Sequence, residues 1–132
     1  MPELPEVETV MRGLEPALLT NQITHVQLNR KDLRIPFPAT LKQDIENKKI
    51  TALKRRAKYI LVHFADGMIL AIHLGMSGRV QIIDAADDYD EYTPQKHDHV
   101  VFTMKDGARI IYNDPRRFGM IFTVQDLSLI HI

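Results

Sequence analysis

The chain has 132 residues, 45% of them hydrophobic, with lysine plus arginine matched by aspartate plus glutamate at 17 each. That describes one globular domain able to bury a core, and the zero net charge argues for no partner, so a claim for nucleic acid must rest on local charge. Cysteine is absent, which excludes disulfides, thiolate nucleophiles and Cys-ligated zinc within these residues; with no signal peptide or transmembrane run, the expected compartment is the cytoplasm.

The first ten residues, MPELPEVETV, put two prolines and three glutamates ahead of any apolar run. Val7, Val10, Met11, Leu14 and Leu18 follow at helical spacing and predict an amphipathic helix that Pro16 ends or bends. Two readings of the start stand side by side. In one, proline and acid residues open a helix, proline fitting its first turn and acids its positive end. In the other, removal of Met1 leaves Pro2 as a secondary amine. An α-amino group with a pKa of about 7.7–8 is deprotonated roughly a hundredfold more often at neutral pH than a lysine at about 10.4. A terminal proline is somewhat more basic, and the helix field pushes it back toward neutrality. Such an amine attacks an aldehyde-like carbon to give an iminium, with Glu3 and Glu6 near enough to move protons. Composition alone favours the helix cap.

Strand character then appears at 22–29, 50–54, 58–64, 68–74, 79–83, 98–104, 108–113 and 119–124, with a short helix at 40–48. Asp66-Gly67 and Asp106-Gly107 each separate two such runs and predict tight hairpins. Many short, hairpin-linked strands point to an antiparallel β-sandwich or barrel, and the expected fold is mainly β with flanking helices, taken as an antiparallel β-sandwich of two roughly four-stranded sheets with the helix at its N-terminus. Residues 84–95, DAADDYDEYTPQ, read as an exposed acidic loop that should face away from any phosphate backbone. The chain closes on TVQDLSLIHI. A complete domain rarely ends on an unprotected apolar run, so a domain at 1–124 and a truncated or non-native tail at 125–132 are expected.

Four stretches could carry chemistry. RRAK at 55–58 leads into a strand and puts Lys58 at its start, as a solvated basic patch or a phosphate contact. In HLGMSGR, at 73–79, Met76 is fenced by two glycines in a turn, where it either meets something apolar or folds back onto the core. In NDPRRFG, at 113–119, a turn holds Arg116, Arg117 and Phe118 between strands. Arginine suits phosphates and bases, and an aromatic can wedge between bases; the same tip could be a protein-binding hot spot. His97-Asp98-His99 lacks a third metal ligand and reads as a phosphate contact or a hydrogen-bonded structural histidine.

PELPEVET at 2–9, RRAKY at 55–59, HLGMSG at 73–78, KHDHV at 96–100 and NDPRRFG at 113–119, in that order, resemble the formamidopyrimidine-DNA glycosylase family of bacterial base-excision-repair enzymes. The resemblance implies that Met1 is removed and that Pro2 becomes the Schiff-base nucleophile at C1′ of a damaged nucleotide. It makes Glu3 the catalytic acid, Glu6 a further acidic active-site position and Lys58 a phosphate contact. Met76, Arg116 and Phe118 match residues inserted into the duplex when the lesion is flipped out. His97 and Arg117 match positions that contact the DNA backbone.

The implied activity is removal of 8-oxoguanine and formamidopyrimidines followed by strand cleavage through β- and δ-elimination, a glycosylase and lyase in one chain. The implied partner is damaged double-stranded DNA, met by a monomer in the bacterial cytoplasm, with no membrane. Family members continue into a helix-two-turn-helix domain and a four-cysteine zinc finger. Neither is found in these residues, so no metal or other cofactor is expected here and DNA affinity is expected to be impaired. The rival readings are an endonuclease VIII-like enzyme for oxidised pyrimidines and a non-catalytic damaged-DNA-binding module.

Overall fold

The computed structural model describes residues 4–84 and 95–126. Pro2 and Glu3, most of the acidic loop and most of the tail lie outside them. Helix α1, Leu4–Leu18, opens the fold. Val7, Met11, Leu14 and Leu18 share one face and are buried, as the 3.6-residue period requires. Pro16 falls inside the last turn, where its missing N–H costs one helical bond and the helix ends two residues later instead of at the proline.

Strands β1 (Gln22–Leu28), β2 (Lys48–Arg56), β3 (Tyr59–Phe64), β4 (Ile69–His73), β5 (Arg79–Ile83), β6 (Asp98–Met104), β7 (Arg109–Asn113) and β8 (Met120–Val124) follow, with the short helix α2 at Leu41–Ile45. The expected helix over 40–48 is therefore shorter, because β2 begins at Lys48. The strands run antiparallel in the order β5-β7-β6-β1-β2-β3-β4-β8. Between β1 and β2 the pairing covers only Gln22 with Lys49 and Ile23 with Lys48. Beyond that short seam the chain divides into two four-stranded halves, in line with the expected sandwich. Where β1 leaves its partner, the Val26 N–H donates to the Glu46 side chain at 2.8 Å.

Both halves and α1 face one core. Leu14, Leu18, Ile23, Val62, Leu70, Ile72, Phe102 and Ile110 surround its centre. Strand β3 is buried on both faces: Ile60, Val62 and Phe64 join the main core, while Tyr59 and Leu61 join a second cluster with Ile69 and Ala71. That explains why YILVHF reads as a continuous apolar run instead of an alternating one. The two Asp-Gly turns are built alike. Asp66 Oδ1 accepts from the Met68 N–H and Asp106 Oδ1 from the Ala108 N–H, each at 3.0 Å. No helix among the described residues is long and apolar enough to cross a membrane.

Helix α1 is pinned to the sheet by charge as well as by packing. Glu8 accepts from Arg55 Nε at 2.9 Å and from Arg12 Nε at 3.1 Å. Arg55 also donates to the Ala57 carbonyl at 2.9 Å. The Arg55 hydrogen bond, helped by Arg12, holds the Glu8 carboxyl below the usual glutamate range. A depressed folded pKa adds stability that is complete above the unfolded value and is lost as pH falls through the folded one. Thermal melts at neutral and acidic pH should therefore show a smaller acid-induced drop for Glu8→Gln than for the parent chain. Equal drops would show that the pair does not contribute.

Candidate DNA-facing site at the sheet end

Three of the four stretches singled out above meet at one end of β3, β4 and β8. Tyr59 pairs with His73, and His73 with Met120, in a single row. The β2–β3 turn precedes Tyr59, residues 74–78 follow His73, and residues 114–119 precede Met120. Lys58 sits in that turn, half-buried, one residue before the strand it was expected to start. Ala57 beside it holds φ of 51°, a left-handed conformation uncommon outside glycine and characteristic of tight turns.

The loops at 74–78 and 114–119 each cross from one half of the sandwich to the other. The first runs from β4 to β5 and the second from β7 to β8. Asp114 fastens them together and is itself fully buried. Its Oδ1 accepts from Ser77 Oγ at 2.6 Å and from the Arg117 N–H at 3.0 Å. Its Oδ2 accepts from Tyr112 Oη and from the Gly119 N–H, both at 2.9 Å. Four donors satisfy a carboxylate that would otherwise be costly to bury. Burial, and then the Asp114 charge, push the Tyr112 hydroxyl far above the ordinary tyrosine range, so it stays a donor. Arg117 takes φ of 58°, a strained conformation that the surrounding bonds hold.

Close packing completes this floor. A Cβ on Gly119 would stand 1.8 Å from Tyr112 Oη and 2.6 Å from the His73 carbonyl oxygen. Gly75, at φ of +63°, would put one 2.5 Å from the Phe118 backbone. The two loops therefore touch backbone to backbone.

On this floor stand the exposed side chains. Met76 is 48% exposed and Phe118 47%, so Met76 does not fold back onto the core. Arg116 links them: Nη1 lies 3.9 Å from Met76 Sδ, and the guanidinium carbon lies 5.8 Å from the Phe118 ring centre. An arginine shared between a thioether and an aromatic face makes one continuous tip.

His73 was not singled out in the sequence but lies under the tip. The Gly75 N–H donates to its Nδ1 at 3.0 Å, which fixes the neutral tautomer with the proton on Nε2. Its ring meets Tyr59 edge-on at 5.1 Å. Burial, then the charges of Arg34 and Lys58, lower its pKa. The Arg34 N–H donates to the Gly119 carbonyl at 3.2 Å, so a further cation belongs to this end of the sheet. His97 lies in the turn before β6, half-buried, and its carbonyl accepts from the Asp114 N–H at 3.1 Å. His99 is buried and donates from Nε2 to the Asp114 carbonyl at 2.7 Å, which makes it structural. Glu6 is exposed in the first turn of α1, and Arg117 is exposed beside Arg116.

The sequence profile of the formamidopyrimidine-DNA glycosylase N-terminal domain matches residues 1–121. The chain belongs to that family. A formamidopyrimidine-DNA glycosylase of Chelativorans sp. is 47% identical over 140 residues, covering 98% of this chain and 47% of its own. One from Ruegeria pomeroyi is 52% identical over 122 residues, covering 90% and 43%. The chain thus spans less than half the length of these relatives. The Lactococcus lactis family member solved with abasic-site DNA superposes with a TM-score of 0.81 at 29% identity, over 93% of this chain and 44% of that one. The same protein solved with a FAPY-dG-containing DNA gives 0.80 over 92%. The zinc finger that the family resemblance implies needs cysteines, and these 132 residues hold none, so they do not fit that metal and no step below runs through it.

Floor and tip should respond differently to substitution. Asp114→Asn keeps the shape but cannot accept all four bonds, and should cost about 2–3 kcal/mol. Gly119→Ala should cost at least as much through the clash. Met76→Ala should stay within about 0.5 kcal/mol. Urea unfolding of the three variants decides, and a Met76→Ala loss equal to that of Asp114→Asn would refute the division. In an NMR titration, the His73 ring should take its proton at lower pH than free histidine; a midpoint at or above the ordinary value would contradict its burial beside the Arg34 and Lys58 charges.

Proposed function

We propose that this chain is the catalytic part of a DNA glycosylase for oxidised purines that also cleaves the strand. The observation that carries the reading is the joined tip of Met76, Arg116 and Phe118, raised on a rigid floor in a member of this family. A base must leave the stack before C1′ can be attacked, at a cost of a few kcal/mol. Two apolar groups and a cation on one support suit the space it leaves.

In the proposed sequence the neutral Pro2 amine, freed of Met1, attacks C1′ as the glycosidic bond breaks, and the departing base takes up the proton that the amine gives up; the C1′–O4′ bond then breaks and leaves an iminium between Pro2 and C1′. Glu3 donates a proton to the sugar as its ring opens. The iminium makes the C2′ proton acidic, its loss expels the 3′ phosphate, and a second elimination releases the 5′ phosphate. Lys58 holds a phosphate near the reacting sugar, Glu6 adds an acid beside the amine, and His97 and Arg117 take backbone phosphates. The Glu8–Arg55–Ala57 chain of bonds supports this assignment, because it ties the first turns of α1 to the turn that carries Lys58.

The purine preference is supported by the formamidopyrimidine name shared by the relatives. The protein is read as a cytoplasmic monomer. The 132 residues tested by themselves span less than half of those relatives, and as an isolated piece they should hold DNA less tightly than the longer proteins do.

Borohydride trapping on an abasic-site duplex tests the reading. Protein shown by mass spectrometry to start at Pro2 should give a covalent adduct, and Pro2→Gly or retained Met1 should abolish it. Binding of the same duplex without any adduct would show a damage-binding module instead.

A further inference from the structure

We infer that Ser77 is a positioning residue: its hydroxyl couples the two crossing loops so that Met76, Arg116 and Phe118 meet a duplex as one body. The duplex part of this inference rests on the proposed DNA reading; the coupling itself does not.

Each loop closes locally. In the first, the Gly78 N–H donates to the Leu74 carbonyl at 2.8 Å and the Gly75 N–H to His73 Nδ1. In the second, the Arg117 and Gly119 N–H groups donate to the Asp114 carboxylate. The Ser77 hydroxyl runs between them. It donates to Asp114 Oδ1 at 2.6 Å and accepts from the Arg116 N–H at 3.1 Å. One oxygen thereby joins the residue after Met76 to the backbone of the arginine that touches Met76.

Ser77 differs from Asp114 in what its removal leaves behind. Without the hydroxyl, Oδ1 keeps the Arg117 N–H and Oδ2 keeps Tyr112 and Gly119. The buried charge therefore stays satisfied by three donors and the floor stays folded. What is lost is the partner of the Arg116 N–H, together with the register between the tips. Groups that enter a base stack separately must each be ordered on arrival, whereas coupled groups are ordered beforehand.

Amide hydrogen exchange of the 132-residue chain tests the coupling without DNA. Ser77→Ala should speed exchange about tenfold in both 75–78 and 115–119 while the hairpin at 104–108 is unchanged, and Ser77→Thr should restore the parent pattern. The duplex arm uses 2-aminopurine opposite a tetrahydrofuran abasic analogue. Ser77→Ala should reduce the fluorescence change on saturating binding at least threefold, with Ser77→Thr again restoring it. Faster exchange confined to 75–78, no change in either segment, or global unfolding of Ser77→Ala each overturns the coupling. If exchange is coupled but the parent chain gives neither a fluorescence change nor a trapped adduct, the DNA reading falls and the link between the loops stands.

Discussion

The buried carboxylate of Asp114 is the constraint around which the candidate site is arranged. A full charge taken out of water must be met by donors on all sides, and here these come from Ser77, Tyr112, Arg117 and Gly119. Those residues belong to the end of β7, to one loop and to the loop opposite. Satisfying one side chain therefore sets the relative position of two segments that cross the sandwich far apart in sequence. A neutral residue here would make a weaker demand, and the loops would be left with the Arg116–Ser77 hydrogen bond and packing. The close approach of Gly75 and Gly119 accompanies this arrangement, with the two backbones nearly touching where Ser77 crosses to the carboxylate.

A second constraint acts at the other side of the site. Glu8 is shared between Arg12, on its own helix, and Arg55, on β2. One turn of helix is about 5.4 Å long, so the contact ties α1, roughly one turn from its start, to the last residues of β2. That link is half-buried and partly screened by solvent, and alone it would be a modest tie. Together with the buried face of Val7, Met11, Leu14 and Leu18 it fixes the rotation of the helix as well as its position.

Much of this was legible from residues alone, and the part that was not has a common cause. The apolar face of α1, the two Asp-Gly hairpins and the eight strands follow from local spacing and turn chemistry, which act over a few residues. Asp114 reads in sequence as the turn former in Asn-Asp-Pro, and that role is real. Its larger role depends on Ser77, 37 residues away, and no local pattern encodes that partnership. Lys58 was placed at a strand start because the apolar run begins next to it, but a two-residue turn needs its own space and the strand starts at Tyr59. His73 opens the HLGMSG stretch, but no role could be read for it there; its importance comes from the Gly75 N–H and from neighbouring cations that only the fold assembles. The assignment of Pro2 and Glu3 rests on the motif and the family, since the described residues begin at Leu4.

The contrast between floor and tip has a consequence for how such a surface can change over evolutionary time. Backbone contact at Gly75 and Gly119 and a saturated carboxylate at Asp114 leave few tolerated replacements, so substitutions there would disturb the height and spacing of the tips. Met76 and Phe118 stand about half exposed, and the Arg116 side chain is exposed between them. Their size and polarity can drift without disturbing the fold. New preferences for what is wedged against can thus arise at three positions while the scaffold beneath them stays constant.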